Sequence, residues 1–309
     1  MKWTAAGQVL GVGSVVVVVA SLAAASSGFG GQKTAEEQCS LAVVSGRVGS
    51  AEKVCDTEVV QQMAGQGQAF AQNQLGIASI LAIGSDYSAK KALEWFQRAA
   101  QRGYAPAQVN LAVMYMNGWG TAVNYGAAQH WLRAAADQQF ARAYYNLGLL
   151  YLDGKGVRQD NGGAFRWFQK GAEAGDSSAA TDLGYFYDQG IGCERNLAKS
   201  VELYRKAAEA GNPFGQNNLA DLYLRWEGIR QDDAAAFAWF QKAASQGHTG
   251  ARIKLGFLYA NGRGTAKDLV AAYAWKCRNG RGRCTGKGFI VFRREASDSP
   301  TTGIRAPAS

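Results

Sequence analysis

The chain repeats itself every 36 residues through its middle, and no insertion or deletion interrupts the repeat. A leucine recurs at this interval in six successive rows: Leu75, Leu111, Leu147, Leu183, Leu219 and Leu255. Each leucine is followed directly by Gly or Ala, and a glycine stands nine residues after it in every row. A strict period of this length is typical of solenoids, in which each repeat buries its apolar face against its neighbours.

Each row predicts a pair of helices. In the third row, Ala143, Leu147 and Tyr151 are four residues apart and share one face of a first helix, helix A. We expect a glycine in the left-handed conformation to end helix A, at Gly118, Gly154, Gly190 and Gly262. A polar residue then begins the second helix, helix B, at Ser88, Asn124, Asp160, Asn196, Asp232 and Asp268.

Aromatic residues form two further columns, Tyr in helix A and Trp in helix B. Their spacing matches the faces of the two helices, so we expect a packed core rather than an aromatic ladder for a ligand. The small residue after each leucine is expected to let the backbone of a neighbouring helix approach closely. Because an isolated pair of such helices is marginal in water, the rows are expected to stack side by side.

The charge distribution excludes nucleic-acid binding by the central part of the chain, residues 26–275. Of the net charge of +9, +1 lies in residues 1–25 and +6 in residues 276–309, which leaves +2 for residues 26–275. A nearly neutral surface of mixed sign offers no stripe for phosphates. The two histidines and five cysteines lack the spacing of metal ligands, so neither a metal nor a cofactor is expected.

Residues 1–25 have the pattern of a secretory signal: Lys2, an apolar run, and small residues that end at Ala25. We therefore expect cleavage after Ala25 and a periplasmic or secreted protein. The alternative is an uncleaved segment that anchors the protein to a membrane by its N-terminus, because the apolar run is near the lower length limit for crossing a bilayer.

Residues 26–66 keep the 36-residue register only faintly and are interpreted as an N-terminal capping segment with a degenerate repeat. In an oxidising compartment, a disulfide between Cys39 and Cys55 would tie this segment together. The alternative is that both cysteines remain reduced and pack as small hydrophobic residues.

The third row carries the fullest pattern: Ala143, Leu147, Gly148, Tyr151, Gly154, Gly156, Val157, Asp160, Ala164, Trp167, Phe168, Lys170, Ala172 and Gly175. This row resembles the Sel-one-like repeat (SLR) family, which is related to the tetratricopeptide repeats, and the resemblance covers residues 67–275. It implies an all-α fold: a right-handed α/α superhelical solenoid of six 36-residue helix-turn-helix repeats, with the A helices lining a concave surface. In this family that surface generally binds proteins or peptides, and exported members resemble regulators and envelope adaptors.

Two departures from the pattern stand out. Trp226 replaces the glycine that should end helix A of the fifth row, so we expect that helix to run on or Trp226 to be exposed. The pattern stops after Trp275, and residues 276–309 are basic and then rich in Ser, Pro and Thr. We interpret this tail as a frameshifted translation of a former repeat, or as a disordered basic segment that meets anionic surfaces.

A hydrolase is the alternative to a binding protein, because a few members of the family resemble penicillin-binding or β-lactamase-like enzymes. Ser50 with Lys53, and Ser88 with Lys91, match the Ser-x-x-Lys motif of those enzymes. The companion Ser-Asp-Asn and Lys-Thr-Gly motifs are missing, and Ser88 is already explained as a helix cap. The sequence therefore predicts no catalytic residues.

The likeness to tetratricopeptide repeats indicates where a protein or peptide partner would contact helix A. These positions lie five and two residues before the column leucine, and two, five and six after it. The candidates are Asn73, Asn117, Tyr145, Asp153, Tyr185, Asp188, Asn217, Asp221, Arg225 and Asn261. Such side chains suit recognition of a peptide by hydrogen bonds and aromatic contacts. The alternative is an ordinary solvated face. The protein is expected to be a monomer.

Overall fold

The structure, a computed structural model, describes residues 57–81, 88–225 and 227–277. These ranges contain thirteen helices and no strand. The helices are α1 Thr57–Gly65, α2 Ala69–Leu81, α3 Ala89–Gln101, α4 Ala105–Asn117, α5 Tyr125–Asp137, α6 Ala141–Asp153, α7 Asn161–Glu173, α8 Ser177–Gln189, α9 Leu197–Glu209, α10 Pro213–Arg225, α11 Asp233–Ser245, α12 Thr249–Asn261 and α13 Leu269–Cys277.

The predicted fold class is confirmed: the chain is an all-α solenoid of six helix-turn-helix repeats. The even-numbered helices α2 to α12 are the A helices, and the odd-numbered helices α3 to α13 are the B helices. The described residues divide into two compact units, with the boundary in α7 between Trp167 and Phe168. In unit 1, each helix from α1 to α6 packs against the next one, and in unit 2 the same holds from α8 to α13.

The helices begin and end where the sequence predicts. Gly118, Gly154, Gly190 and Gly262 end their A helices in the left-handed conformation, with φ between 67° and 70°. Side-chain oxygens accept hydrogen bonds from the first turns of the B helices at Ser88, Asn124, Asn196, Asp232 and Asp268. These contacts satisfy backbone groups that a helix leaves unpaired at its ends.

In the first and fourth rows, the small residue after the column leucine faces an aromatic ring of helix B rather than its backbone. A methyl group added to Gly76 would lie 2.5 Å from the ring of Phe96. In the fourth row, a methyl group on Gly184 would lie 2.9 Å from the ring of Tyr204. The close approach that the sequence predicts is therefore an approach of a side chain, and it fixes how helix A and helix B of one row pack.

The core is built mainly from two columns. The leucines of helix A are buried in the second to sixth rows, as are the residues that directly follow the Trp column of helix B, which are Phe96, Leu132, Phe168, Tyr204 and Phe240. The Trp column and the Tyr column themselves are half-buried and pack against the edge of this core. For example, the rings of Tyr151 and Trp167 contact each other, with their centroids 6.5 Å apart. Each Trp and Tyr ring of these two columns therefore packs against the core on one side only, and the expectation of a packed core holds for that side.

A contact that the sequence did not reveal joins an A helix to the helix before it in five of the six rows. The residue three positions before the column leucine donates a hydrogen bond to a carbonyl near the C-terminus of the preceding helix in five rows. The donors are Gln72, Gln108, Tyr144, Gln216 and Arg252. Because the last carbonyls of a helix have no partner within it, this contact stabilises both the helix end and the packing of the next row.

Several predictions fall outside the described residues. These are the signal in residues 1–25, the disulfide between Cys39 and Cys55, the effect of Trp226 and the tail in residues 278–309. Among the described residues, no helix combines the length and the apolar character that crossing a bilayer requires.

Candidate partner-binding surface

Two of the ten candidate residues are not accessible to a partner. Asn73 in α2 is fully buried, and its Oδ1 accepts a hydrogen bond of 3.0 Å from Nδ2 of Asn110 in α4. Asp188 in α8 is 4% exposed. The expectation that these two side chains contact a partner is therefore wrong, because each is enclosed by a neighbouring A helix that only the stacking of rows brings close.

The other three candidates of unit 1 lie on the surface, each beside a different neighbour. Asn117 is exposed and donates a hydrogen bond to the carbonyl of residue 113 in its own helix. Tyr145 is half-buried, with the guanidinium of Arg142 5.2 Å from its ring centroid. Asp153 forms an ion pair of 2.9 Å with Lys155 and raises the pKa of that lysine through this hydrogen bond. Such exposed pairs contribute little to stability.

In unit 2, Asp188 near the C-terminal end of α8 holds two arginines: Arg225 at the C-terminal end of α10, and Arg195 in the connection between α8 and α9. Its carboxylate lies 3.3 Å from Arg225 and 3.9 Å from Arg195. Both arginines also pair with Glu227, at 3.7 Å and 3.4 Å respectively. Nε of Arg195 donates a hydrogen bond of 2.7 Å to the backbone carbonyl of Asp188. We call these four residues the arginine cluster; it fixes two half-exposed guanidinium groups in place.

A second ion pair joins α10 to α12. Nζ of Lys254 lies 2.7 Å from Oδ1 of Asp221, and both side chains remain partly exposed. One turn earlier on α10, Nδ2 of Asn217 donates to Oδ1 of Asn218. The buried Oδ1 of Asn217 has no hydrogen-bond partner among the described residues.

The remaining candidates of unit 2 differ in character. Tyr185 is half-buried and packs against the core cluster of Val201 and Tyr204. Asn261 is exposed and donates to the carbonyl of Phe257 in its own helix. Asn261 therefore fits the alternative reading of an ordinary solvated face, whereas Tyr185 presents part of an aromatic ring at the surface.

Tyr204 places a hydroxyl inside unit 2 at a position where rows one, three and five have Phe. Burial raises the pKa of Tyr204 far above its usual value, and the nearby carboxylate of Asp188 raises it further. The hydroxyl therefore stays protonated.

Ser88, one of the two serines that match the Ser-x-x-Lys motif, has a structural role as a helix cap. Its Oγ accepts a hydrogen bond of 3.2 Å from the backbone N–H of Lys91, which is the cap of α3. The second match, Ser50 with Lys53, lies outside the described residues. Within the described ranges, no group of His, Cys, Asp and Glu residues is arranged to hold a metal ion.

Three A helices of unit 2 therefore contribute to one polar surface, which we call the unit 2 A face: Tyr185, Asn217, Asp221, Arg225 and Lys254. It combines donors, acceptors and an aromatic ring, and ion pairs between helices fix its charged members. Sequence reasoning missed Lys254, Arg195 and Glu227. The signal for Lys254 was its position directly before Leu255, where the preceding five rows carry Gln, Asn or Asp.

Comparison with known proteins agrees with this architecture. The family model of the Sel1 repeat matches residues 69–104, 105–140, 141–176, 177–212, 213–248 and 250–275. A solved Sel1 repeat protein from Oxalobacter formigenes is 29% identical, with a TM-score of 0.63, and the match covers 82% of this chain and 100% of that one. No curated protein matches the chain.

Two further solved structures are similar. The protein c5321, a protective antigen present in uropathogenic Escherichia coli strains and displaying an SLR fold, is 29% identical with a TM-score of 0.62. That match covers 78% of this chain and 56% of the antigen. The immunity protein Pa5087 from Pseudomonas aeruginosa is 19% identical, with a TM-score of 0.52 and coverage of 69% and 81%, so it shares the fold alone.

Proposed function

The chain belongs to the Sel1 repeat family, and from this membership we propose that it is an exported scaffold that binds a protein or peptide partner through the unit 2 A face. Sel1 repeat proteins are scaffolds that typically mediate protein–protein interaction. The observation that carries the proposal is the set of ion pairs that hold partly exposed polar side chains of α10 and α12 in fixed positions.

Fixed side chains favour binding because a partner then does not have to order them. Immobilising a long, flexible side chain on binding costs about 0.5–1.5 kcal/mol. On the unit 2 A face, Arg225 is already held by Asp188 at 3.3 Å, and Lys254 by Asp221 at 2.7 Å. Tyr185 adds an aromatic surface beside them, a residue type that is enriched in protein interfaces.

The face suits a polar peptide segment rather than a nucleic acid. Its two cations are each matched by a carboxylate, so it offers no excess positive charge to phosphates. The backbone of an extended peptide carries alternating donors and acceptors, which a face with both kinds of group can satisfy.

A photo-crosslinking experiment tests this assignment. p-Benzoylphenylalanine is introduced in place of Tyr185, and in a matched control in place of Arg205, an exposed residue of helix B in the same unit. Illumination of the producing cells should give a crosslinked protein or peptide species from position 185 and none from position 205. Equal crosslinking at both positions, or none at 185, would contradict the assignment.

Substitutions on the unit 2 A face provide a second test of the assignment. The double variant Tyr185→Ala with Asn217→Ala should capture less of that species, while Arg205→Ala with Gln241→Ala on exposed parts of helix B should capture as much as the parent chain. The helicity of both variants is measured by circular dichroism. A loss of capture that both doubles share equally would mean that the face has no special role.

The export part of the proposal rests on residues 1–25, and an envelope adaptor or regulator is the role that it supports. The expected mature N-terminus is residue 26, and mass spectrometry of the intact protein recovered from the periplasm or medium tests this. An intact N-terminus in the membrane fraction would favour the anchored alternative. For the hydrolase alternative, a nitrocefin assay is the direct test, and no turnover is expected because Ser88 serves as a helix cap.

A further inference from the structure

An open cleft lies in the first row, where the end of α1 and the start of α2 meet the end of α3. Its volume is about 440 Å³, within the range of pockets that hold small ligands. Among the described residues, those that line it include two arginines, Arg98 and Arg102, together with Gln72, and no acid. We call the space between these three side chains and the turn at Gly67 the first-row cleft. It belongs to unit 1 and shares no residue with the unit 2 A face.

The charge of the first-row cleft is not found at the same place in later rows. Gly65 and Gln101, which line it, are 36 residues apart and belong to one column of the repeat. That column continues with Asp137, Glu173 and Glu209. In the second to fifth rows, at least one of the two positions that correspond to Gly65 and Gln101 is therefore acidic. In the first row the two arginines have no opposite charge in the wall of the cleft, so the cleft attracts an anion.

Gln72 brings a buried acceptor to the first-row cleft. Its side chain is 4% exposed, and its Nε2 donates a hydrogen bond of 3.2 Å to the carbonyl of Ala64. Its Oε1 has no hydrogen-bond partner among the described residues. In the second row the corresponding Oε1 of Gln108 accepts a hydrogen bond of 2.9 Å from Nε2 of Gln138, and the fifth row has the same contact. Because a buried acceptor without a partner is costly, a ligand that donates a hydrogen bond to it gains affinity.

Arg102 stands where the second and fifth rows have the glutamine that donates this bond. Its backbone has φ of −87° and ψ of 8°, nearly the same as the −86° and 9° of Gln138. The side chain of arginine is longer, and the guanidinium lies against Gly67: a methyl group added there would be 2.6 Å from Nη2 of Arg102. Because Arg102 is exposed, its guanidinium is free to turn toward an anion and so to open the way to Oε1 of Gln72.

We propose that the first-row cleft binds a carboxylate whose neighbouring carbon carries an amide N–H, as in the free C-terminus of a peptide or in an N-acylated amino acid. Arg98 and Arg102 are four residues apart, on one side of the end of α3, and both pair with the carboxylate. The amide N–H of the ligand donates to Oε1 of Gln72. An anion without such a donor, for example inorganic phosphate, satisfies the arginines alone and binds more weakly.

An NMR titration of the full chain, labelled with ¹⁵N at tryptophan, tests the proposal. The guanidinium of Arg98 lies 4.9 Å from the ring centroid of Trp95, so the indole N–H of Trp95 reports on the cleft; the variant Trp95→Phe identifies its signal. N-acetylalanine has both groups, its amide derivative lacks the charge, and propionate and inorganic phosphate lack the N–H. N-acetylalanine should bind at least about tenfold more tightly than the other three, because each of them loses a hydrogen bond that involves a charge or a buried acceptor. Equal affinity for propionate or phosphate would overturn the proposal, since charge alone would then suffice.

Substitution of Arg102 tests the site itself. Arg102→Gln restores the glutamine pair of the second and fifth rows, so it should abolish binding of N-acetylalanine while the melting temperature stays at least as high as the parent's. Arg133→Gln removes the same charge from an exposed position of α5 and should leave the affinity unchanged. Binding that survives in Arg102→Gln, or a loss that both variants share, would contradict the assignment. Neither variant touches the unit 2 A face, so this result is independent of the function proposed for that face.

A further probe separates the two sources of the ligand. Acetyl-trialanine with a free C-terminus carries the same carboxylate and N–H as N-acetylalanine, with more peptide behind them. Tighter binding of the tripeptide would support the proposal with a peptide C-terminus as the ligand, and equal affinity would support it with a single N-acylated amino acid. No shift of the Trp95 signal with either probe would overturn the proposal.

Discussion

Gln139 stands where a glycine is expected, and replacing it should stabilise the protein. In the other rows with a glycine at this position, Gly103, Gly175, Gly211 and Gly247 end helix B with φ between 80° and 94°. Gln139 has a φ of 59° and is, among the described residues, the one non-glycine residue with a positive φ. The prediction is that Gln139→Gly raises the free energy of unfolding.

The magnitude follows from two opposing effects. The left-handed conformation costs a residue with a side chain about 1–2 kcal/mol. Glycine loses more backbone freedom on folding, which takes back about 0.5–1 kcal/mol. The expected gain is therefore about 0.5–1 kcal/mol, or about 1–3 °C in melting temperature for a chain of this size. The side chain of Gln139 is exposed, so its loss should add little.

The reverse substitution is the matched control. Gly103 occupies the same position one row earlier, at a φ of 80°, and a methyl group added there would meet no atom within 4 Å. Gly103→Gln should therefore lower the free energy of unfolding by a similar amount for the same backbone reason. Urea titrations followed by circular dichroism at 222 nm measure both. The reasoning would be refuted if the two substitutions shifted the midpoint in the same direction.

Two further predictions follow from the described contacts. Burial holds the pKa of His248 below its usual 6.5, and its Nδ1 accepts the capping hydrogen bond from residue 251 of α12. Since the unfolded chain binds a proton there more readily, the protein should lose stability as the pH falls below about 6.5. In His248→Asn, which keeps a capping oxygen, thermal melts at pH 7 and pH 5 should differ less than in the parent. Gly76→Ala should lower the free energy of unfolding by about 1–3 kcal/mol, because its methyl group would press on the ring of Phe96. Phe96→Leu in the same chain should recover part of that loss in urea titrations, and a full additive loss would argue against the contact.

The periodic sequence pattern predicted only part of the candidate partner-binding surface. The repeat indicated which positions of helix A are not needed within one row, and most of the ten candidates are indeed at least partly exposed. It did not indicate that Asn73 and Asp188 would be enclosed. Their partners, Asn110 and Arg225, are each 37 residues away along the chain. A contact between rows depends on how two A helices align, and no column of a single sequence records that alignment.

The sequence by itself determined the helices, their ends and the number of repeats, because these depend on local spacing: apolar residues recur at helical intervals, and glycines and capping residues recur at fixed offsets. Only the tertiary structure decided which side chains become neighbours across rows. It placed the ring of Phe96 against Gly76, enclosed the carboxylate of Asp188 between two arginines, and left Ile253 and Phe257 of the last A helix exposed. The physical reason is that burial is a property of the stack, since it depends on which neighbouring helices pack against a position and not on the residues near it in the sequence.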